Sequence, residues 1–241
     1  MTRQTWAFLA AVTSVLLAIT TALSGEFTWA LLWSLATVGF WMTTRRWQRI
    51  SPVPFPYAFQ WFLHLPRPTQ SPTRLAEILQ PRHGERLLEI GPGLGRHALA
   101  MASALRPDGV LDLLDVQREV LEAVVRRART AGVTNIVSRE ADAAHLPYAD
   151  RTFDGAYLIS VLGEIPDGDG ALRELSRVLK PTGRLIIGEL LVDPDFVSLG
   201  RLQACAEKAG FIFRTKTGGA LAYLARFEFA DGDASASQPD E

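Results

Sequence analysis

The sequence predicts an α/β architecture: a mostly parallel sheet of seven strands ending in an antiparallel hairpin, preceded by two transmembrane helices. Three observations carry it. From Leu87 onward, short apolar runs alternate with helical patterns, as in a parallel sheet covered on both faces. The last two runs, Phe211 to Lys216 and Ala220 to Phe229, are joined by Gly218-Gly219, a hairpin signal. Ahead of them, the first 44 residues hold two uncharged stretches, Thr5 to Leu23 and Phe27 to Thr44. Each is close to the roughly 17 to 25 residues that a membrane-spanning helix needs.

Four segments follow from composition. Residues 1–49 form a membrane hairpin with helices at about 5–23 and 27–44. Arg45, Arg46 and Arg49 behind the second stretch form a stop-transfer pattern that leaves both ends, and the rest of the chain, on the cytoplasmic side of a cell membrane. A cleaved leader with Arg3 at its basic end, and an apolar helix pair packed on the domain or between subunits, are the competing readings. Residues 50–70 hold five prolines interleaved with Phe55, Tyr57, Phe59, Trp61 and Phe62, a linker that either anchors at an interface or roofs the site. Residues 71–230 are the α/β domain, and 231–241 an acidic tail expected to be disordered.

Within the domain, Ser71-Pro72-Thr73 caps a helix through about Gln80. Leu87 to Ile90 is the first strand and 94–105 the returning helix. Val110 to Leu114 is the second strand, ending at Asp115, and the helix 117–131 stops at Gly132. Further strands are expected at 135–138, 153–161 and 184–190, with helices at 172–179 and 199–209. A net charge of -1 supplies no basic field, so nucleic acid is not the expected partner. Cys205 is the only cysteine, which excludes an intrachain disulfide and a cysteine-rich zinc site. No metal is expected.

The chemistry centres on Glu89-Ile90-Gly91-Pro92-Gly93-Leu94-Gly95, where a buried strand ends on an acid and opens into three glycines at alternate positions. Such a turn admits a ligand to the backbone. A pyrophosphate-binding turn spaces its glycines G-x-G-x-x-G, whereas here the third arrives one residue early. A nucleoside cofactor without a pyrophosphate fits better.

This stretch resembles the first motif of class I S-adenosylmethionine (SAM)-dependent methyltransferases, which have a Rossmann-like sheet. Leu146-Pro147-Tyr148 with Phe153-Asp154, and Arg177-Val178-Leu179-Lys180-Pro181-Thr182-Gly183, resemble the ubiquinone/menaquinone-biosynthesis-like branch, in the family's order. The resemblance implies SAM as cofactor, with Glu89, Gly91, Gly93 and Gly95 on its methionine side. It also implies Asp115 and Val116 at the ribose, Asp142 and Ala143 at the adenine, and Ser160 at the end of strand four.

The acceptor side is expected at Ser160 to Asp167. Where the family often places a histidine, this chain has Gly163, which removes an obvious general base. Glu164 is the first candidate for steering the acceptor, with His145 and Tyr157 behind it; His64 qualifies only if the linker forms a lid. His83 and His97 read as surface or packing residues. Strand four lacks an Asn/Asp-Pro-Pro-Tyr ending, which argues against DNA adenine or protein glutamine as acceptor. The membrane hairpin instead favours a lipid-like or apolar small molecule, methylated by direct displacement. A soluble acceptor, or a membrane-tethered SAM-binding scaffold without turnover, is the alternative. The sequence does not specify the oligomeric state.

Overall fold

Leu87, Leu88 and Ile90 in one short run, and Leu111, Leu113 and Leu114 in the next, are apolar on both sides of their strands, so each strand needs cover on two faces. The computed structural model provides it. It describes residues 3–50 and 67–230, with side chains for 9–47 and 67–230. Residues 51–66, which include His64 and most of the proline-rich linker, and the tail 231–241 lie outside the described residues.

The elements are α1 (Arg3–Leu23), α2 (Phe27–Ile50), α3 (Pro72–Leu79), β1 (Arg86–Ile90), α4 (Arg96–Ala104), β2 (Val110–Asp115), α5 (Arg118–Thr130), β3 (Ile136–Glu140), β4 (Phe153–Ile159), α6 (Gly168–Val178), β5 (Leu179–Leu190), α7 (Leu199–Lys208), β6 (Phe211–Gly218) and β7 (Ala222–Phe229). The sheet order is β3-β2-β1-β4-β5-β7-β6. β1 to β5 run parallel, while β7 is antiparallel to both β5 and β6. β1 and β4 are neighbours, so the chain reverses its direction of travel across the sheet between them. In such sheets ligands settle beyond the carboxyl ends of the strands at that reversal.

Two apolar cores flank the sheet. Leu75, Leu79, Met101, Leu105 and Val124 close one face, and Leu172, Leu175, Leu202, Phe211 and Phe227 close the other. The amino ends of the strands are joined by charge. Arg86 pairs with buried Asp112 at 2.8 and 2.9 Å, and Lys180 with Asp154 at 2.5 Å. Arg184, itself buried, bonds Glu85 at 2.9 Å and the carbonyls of Gln80 and Asp154. A guanidinium with five donors satisfies several acceptors at once, which lets this charge be buried.

α1 and α2 form the expected hairpin, but the expectation that they span a membrane is not met. Among the described residues no helix is long and apolar enough to cross one. The reason lies in their composition. Ser14, Thr20, Thr21, Ser34, Thr37, Thr43 and Thr44 interrupt the apolar surface and return their hydroxyls to helix carbonyls. Ser14 and Thr37 also bond across the pair at 2.8 Å. α2 runs on to Ile50, through the arginines, instead of stopping at Thr44.

Candidate functional site

The glycine turn follows β1 directly. Gly91, Gly93 and Gly95 have φ of +67°, +50° and +73°, a region side chains disfavour. A Cβ on Gly91 would lie 2.4 Å from Val161 Cγ2, and one on Gly95 2.7 Å from Val124 Cγ1. The turn thus presses against the exit of β4 on one side and α5 on the other. Arg127 of α5 holds it by donating to the Leu94 carbonyl at 2.7 Å.

Asp115 ends β2, where its carboxylate accepts from the Gln117 amide at 2.8 Å. Burial pushes its pKa up to about 6, while the Gln117 and Val116 amides pull the other way. Val116 beside it is half exposed. The Ala141 amide donates to the Asp115 carbonyl at 3.1 Å, bringing Asp142 and Ala143 next to this strand end. Asp142 accepts from the Ala144 amide at 2.9 Å and remains open to solvent, while Ala143 is buried. Ser160, just past β4, has φ of +56° and donates its amide to the Gly188 carbonyl at 2.7 Å.

Glu89, Gly91, Gly93, Gly95, Asp115, Val116, Asp142, Ala143 and Ser160 therefore gather along one rim, at or just past the carboxyl ends of β1, β2, β3 and β4. This rim, with a turn whose positive-φ glycines leave its backbone bare and with acids at the end of β2 and just past β3, fits a nucleoside carrying an amino acid. The catalytic candidates are not brought together. Tyr157 is fully buried, and its hydroxyl is spent on Glu89 Oε2 at 2.8 Å. His145 is 85% exposed, beside Asp142 just past the carboxyl end of β3. Glu164 alone lies past β4, in a short 3-10 turn over Leu162–Glu164.

Facing that turn is a group of residues that spacing did not reveal. A Cβ on Gly163 would lie 2.0 Å from the Asp195 carbonyl oxygen, so the loop after β5 occupies the place where the family often has a histidine side chain. The same segment supplies three acids. Glu189 is buried and accepts from the Val197 amide at 3.0 Å; burial holds its carboxyl well above the usual range. Burial also raises Asp193, and burial together with Asp193 pushes Asp195 up to about 7. The hairpin reaches this loop as well. Trp41 Nε1 donates to the Val192 carbonyl at 3.1 Å, and the Arg45 guanidinium lies 5.7 Å from the Phe196 ring centroid. The available signal was the run Glu189-Leu190-Leu191-Val192-Asp193-Pro194-Asp195, one acid at the end of β5 and two just past it, on the same rim.

Residues 88–187 match a family described as "Methyltransferase domain". The chain is 38% identical over 141 residues to 27-O-demethylrifamycin SV methyltransferase of Amycolatopsis mediterranei (strain S699), covering 58% of this chain and 50% of that protein. It is 36% identical over 109 residues to the ubiquinone/menaquinone biosynthesis C-methyltransferase UbiE of Haemophilus ducreyi, covering 45% and 42%. The chain thus spans about half the length of these curated relatives or less. A solved SAM-dependent methyltransferase from Aquifex aeolicus superposes with a TM-score of 0.65 over 72% of this chain and 98% of its own, at 18% identity, a likeness of fold. Sheet order, glycine turn and acidic strand ends agree with these matches, and residues 88–187 carry a methyltransferase domain of the SAM-dependent kind, with SAM as its cofactor.

Proposed function

We propose that this protein transfers a methyl group by direct displacement to a lipid-like or other apolar small molecule, with its helix hairpin resting on a membrane surface and its catalytic domain on the cytoplasmic side. The observation that carries the acceptor class is the position of the hairpin. Its outer faces expose Leu16, Ile19, Leu23, Phe27, Leu32 and Leu35, while its far end seats Trp41 and Arg45 against the acceptor rim. Exposed apolar surface of this extent marks a site of association. Arg45 and Arg46 stand where anionic headgroups would lie.

Bound SAM supplies a methyl on a positively charged sulfur. Gly91, Gly93 and Gly95 let its amino-acid end approach the backbone, Asp115 and Val116 take the ribose, and Asp142 and Ala143 take the adenine. The rim beyond β4, with Glu164, holds the acceptor in line and excludes water, which is most of what this reaction asks of a protein. The names of the relatives, one acting on a rifamycin and one in quinone biosynthesis, support an organic small-molecule acceptor.

Two measurements test the reading. Asp115→Ala is expected to weaken SAM binding by calorimetry about tenfold or more, the loss of charge-assisted hydrogen bonds; unchanged affinity rejects the ribose assignment. Methyl-labelled SAM incubated with a bacterial lipid extract is expected to give a labelled apolar product. Label only in water-soluble compounds rejects the lipid-like acceptor and leaves the methyltransferase. Tight binding of SAM with no labelled product from either fraction points to a membrane-tethered scaffold.

A further inference from the structure

We propose that Gln70, Ser160, Glu189 and Asp193 form a binding corner for an organic ammonium group, the polar end of the acceptor; this rests on the methyltransferase reading of the same site. The argument is an inventory of donors and acceptors. Gln70 is buried, and its Nε2 reaches Ser160 Oγ at 3.4 Å. Ser160 in turn faces Asp193, where its hydroxyl works against the upward pull of burial on that carboxyl. His97 Nε2 contacts the Gln70 carbonyl at 2.7 Å and fixes that residue from below. Tyr223 donates its hydroxyl to the Val197 carbonyl at 2.7 Å, so it has no proton left to offer Glu189.

Three buried oxygens remain without a partner: Gln70 Oε1, Glu189 Oε1 and Asp193 Oδ2. Gln70 Oε1 is an acceptor, and the two carboxyl oxygens are acceptors once ionised. A buried acceptor left unsatisfied is costly, so the corner calls for a group rich in donors. Gln70 adds an observation independent of the acids, because it arrives from the segment before α3 and is neutral.

Charge gives the same answer. Glu189, Asp193 and Asp195 repel one another and are all held above the ordinary carboxylate range, chiefly by burial. Two guanidiniums offset them, Arg67 acting on Asp193 and Arg45 on Asp195. An acid held above its range keeps a proton, and an entering ammonium can take that proton's place, bringing a positive charge together with several N–H donors and no acceptor. A neutral hydroxyl would satisfy one oxygen and leave the retained protons where they are.

The test is calorimetry on the full chain at about pH 7.5, saturated with S-adenosylhomocysteine, titrated with hexylamine and then with hexanol. The two probes share a tail and differ in the head. Hexylamine is expected to bind at least about tenfold more tightly, the size of one charge-assisted hydrogen bond. Asp193→Asn and Glu189→Gln are each expected to remove most of that preference without changing affinity for S-adenosylhomocysteine. Equal binding of the two probes, or no amine binding, overturns the proposal. Amine binding that vanishes when S-adenosylhomocysteine is present also overturns it, because the corner then serves the cofactor's own amino group. Failure to bind S-adenosylhomocysteine at all overturns the methyltransferase reading instead, and the amine preference is then read on the unliganded chain.

Discussion

Glu89 sits beneath the glycine turn and accepts a hydrogen bond from the Tyr157 hydroxyl, and burial pushes its carboxyl up to about 8. An unfolded chain releases this proton near pH 4.3. Between about pH 6.5 and 7.5 the folded state therefore keeps a proton that the unfolded state has lost, and stability falls as pH rises, by about 1.4 kcal/mol per unit from this group. Asp195, raised to about 7, acts in the same direction. Asp115, raised to about 6, has largely finished titrating below that window, and His97, lowered from its usual value, acts below it too. Urea denaturation at the two ends of the window is expected to show a shallower slope in Glu89→Gln than in wild type. Equal slopes would place the retained proton elsewhere. At this scale the acids that end strands, Glu89 and Asp115, were legible because a strand end followed by a glycine turn is a local pattern. Tyr157 was misjudged as a candidate because strand alternation alone does not say whether a phenol reaches a rim or a buried carboxylate.

The loop between β5 and α7 is the element on which the proposed acceptor site depends. It packs on Gly163, holds Glu189 through the Val197 amide and receives Trp41 from α2. Trp41→Phe keeps the ring and removes only the donor to Val192. Hydrogen exchange of the amides in 191–197 is expected to quicken by about five- to tenfold, the loss of one net hydrogen bond of roughly 1 kcal/mol. Unchanged exchange there would show that the hairpin does not brace this loop. Element types were legible throughout the domain, and differences fell at boundaries. α6 starts at Gly168, four residues before the expected helix, because Asp167 accepts from the Gly170 amide at 2.8 Å and caps it there. β5 starts at Leu179, because Leu179 already pairs with Phe153 and the Pro181-Thr182-Gly183 turn lies inside the irregular start of the strand. The meeting of α2 with the loop after β5 was not legible, since it joins residues about 150 positions apart with no pattern common to both.

For the whole molecule, the decisive question is where the hairpin's apolar faces go. In flotation of the full chain with anionic phospholipid vesicles, the protein is expected to rise with the lipid, and less so as salt screens Arg45 and Arg46. Protein that stays in the dense fraction at every lipid charge would reject the surface-bound reading and favour the soluble acceptor. The mostly parallel sheet and its antiparallel close were legible as a whole because strand and helix patterns alternate over most of the span from Leu87 to Phe211 and end in two strands, whereas the order of the strands across the sheet was not. Length and freedom from charge were an insufficient guide to the helix pair, whose hydroxyls are spent within and between the helices. The charged seam of Arg86, Asp112, Asp154, Lys180 and Arg184 lies at the opposite rim from every residue assigned to a ligand. Endurance and selectivity are therefore separately adjustable here: a hardier protein can be sought by redesigning the lower rim, and a different appetite by redesigning the upper one, with little trade between the two.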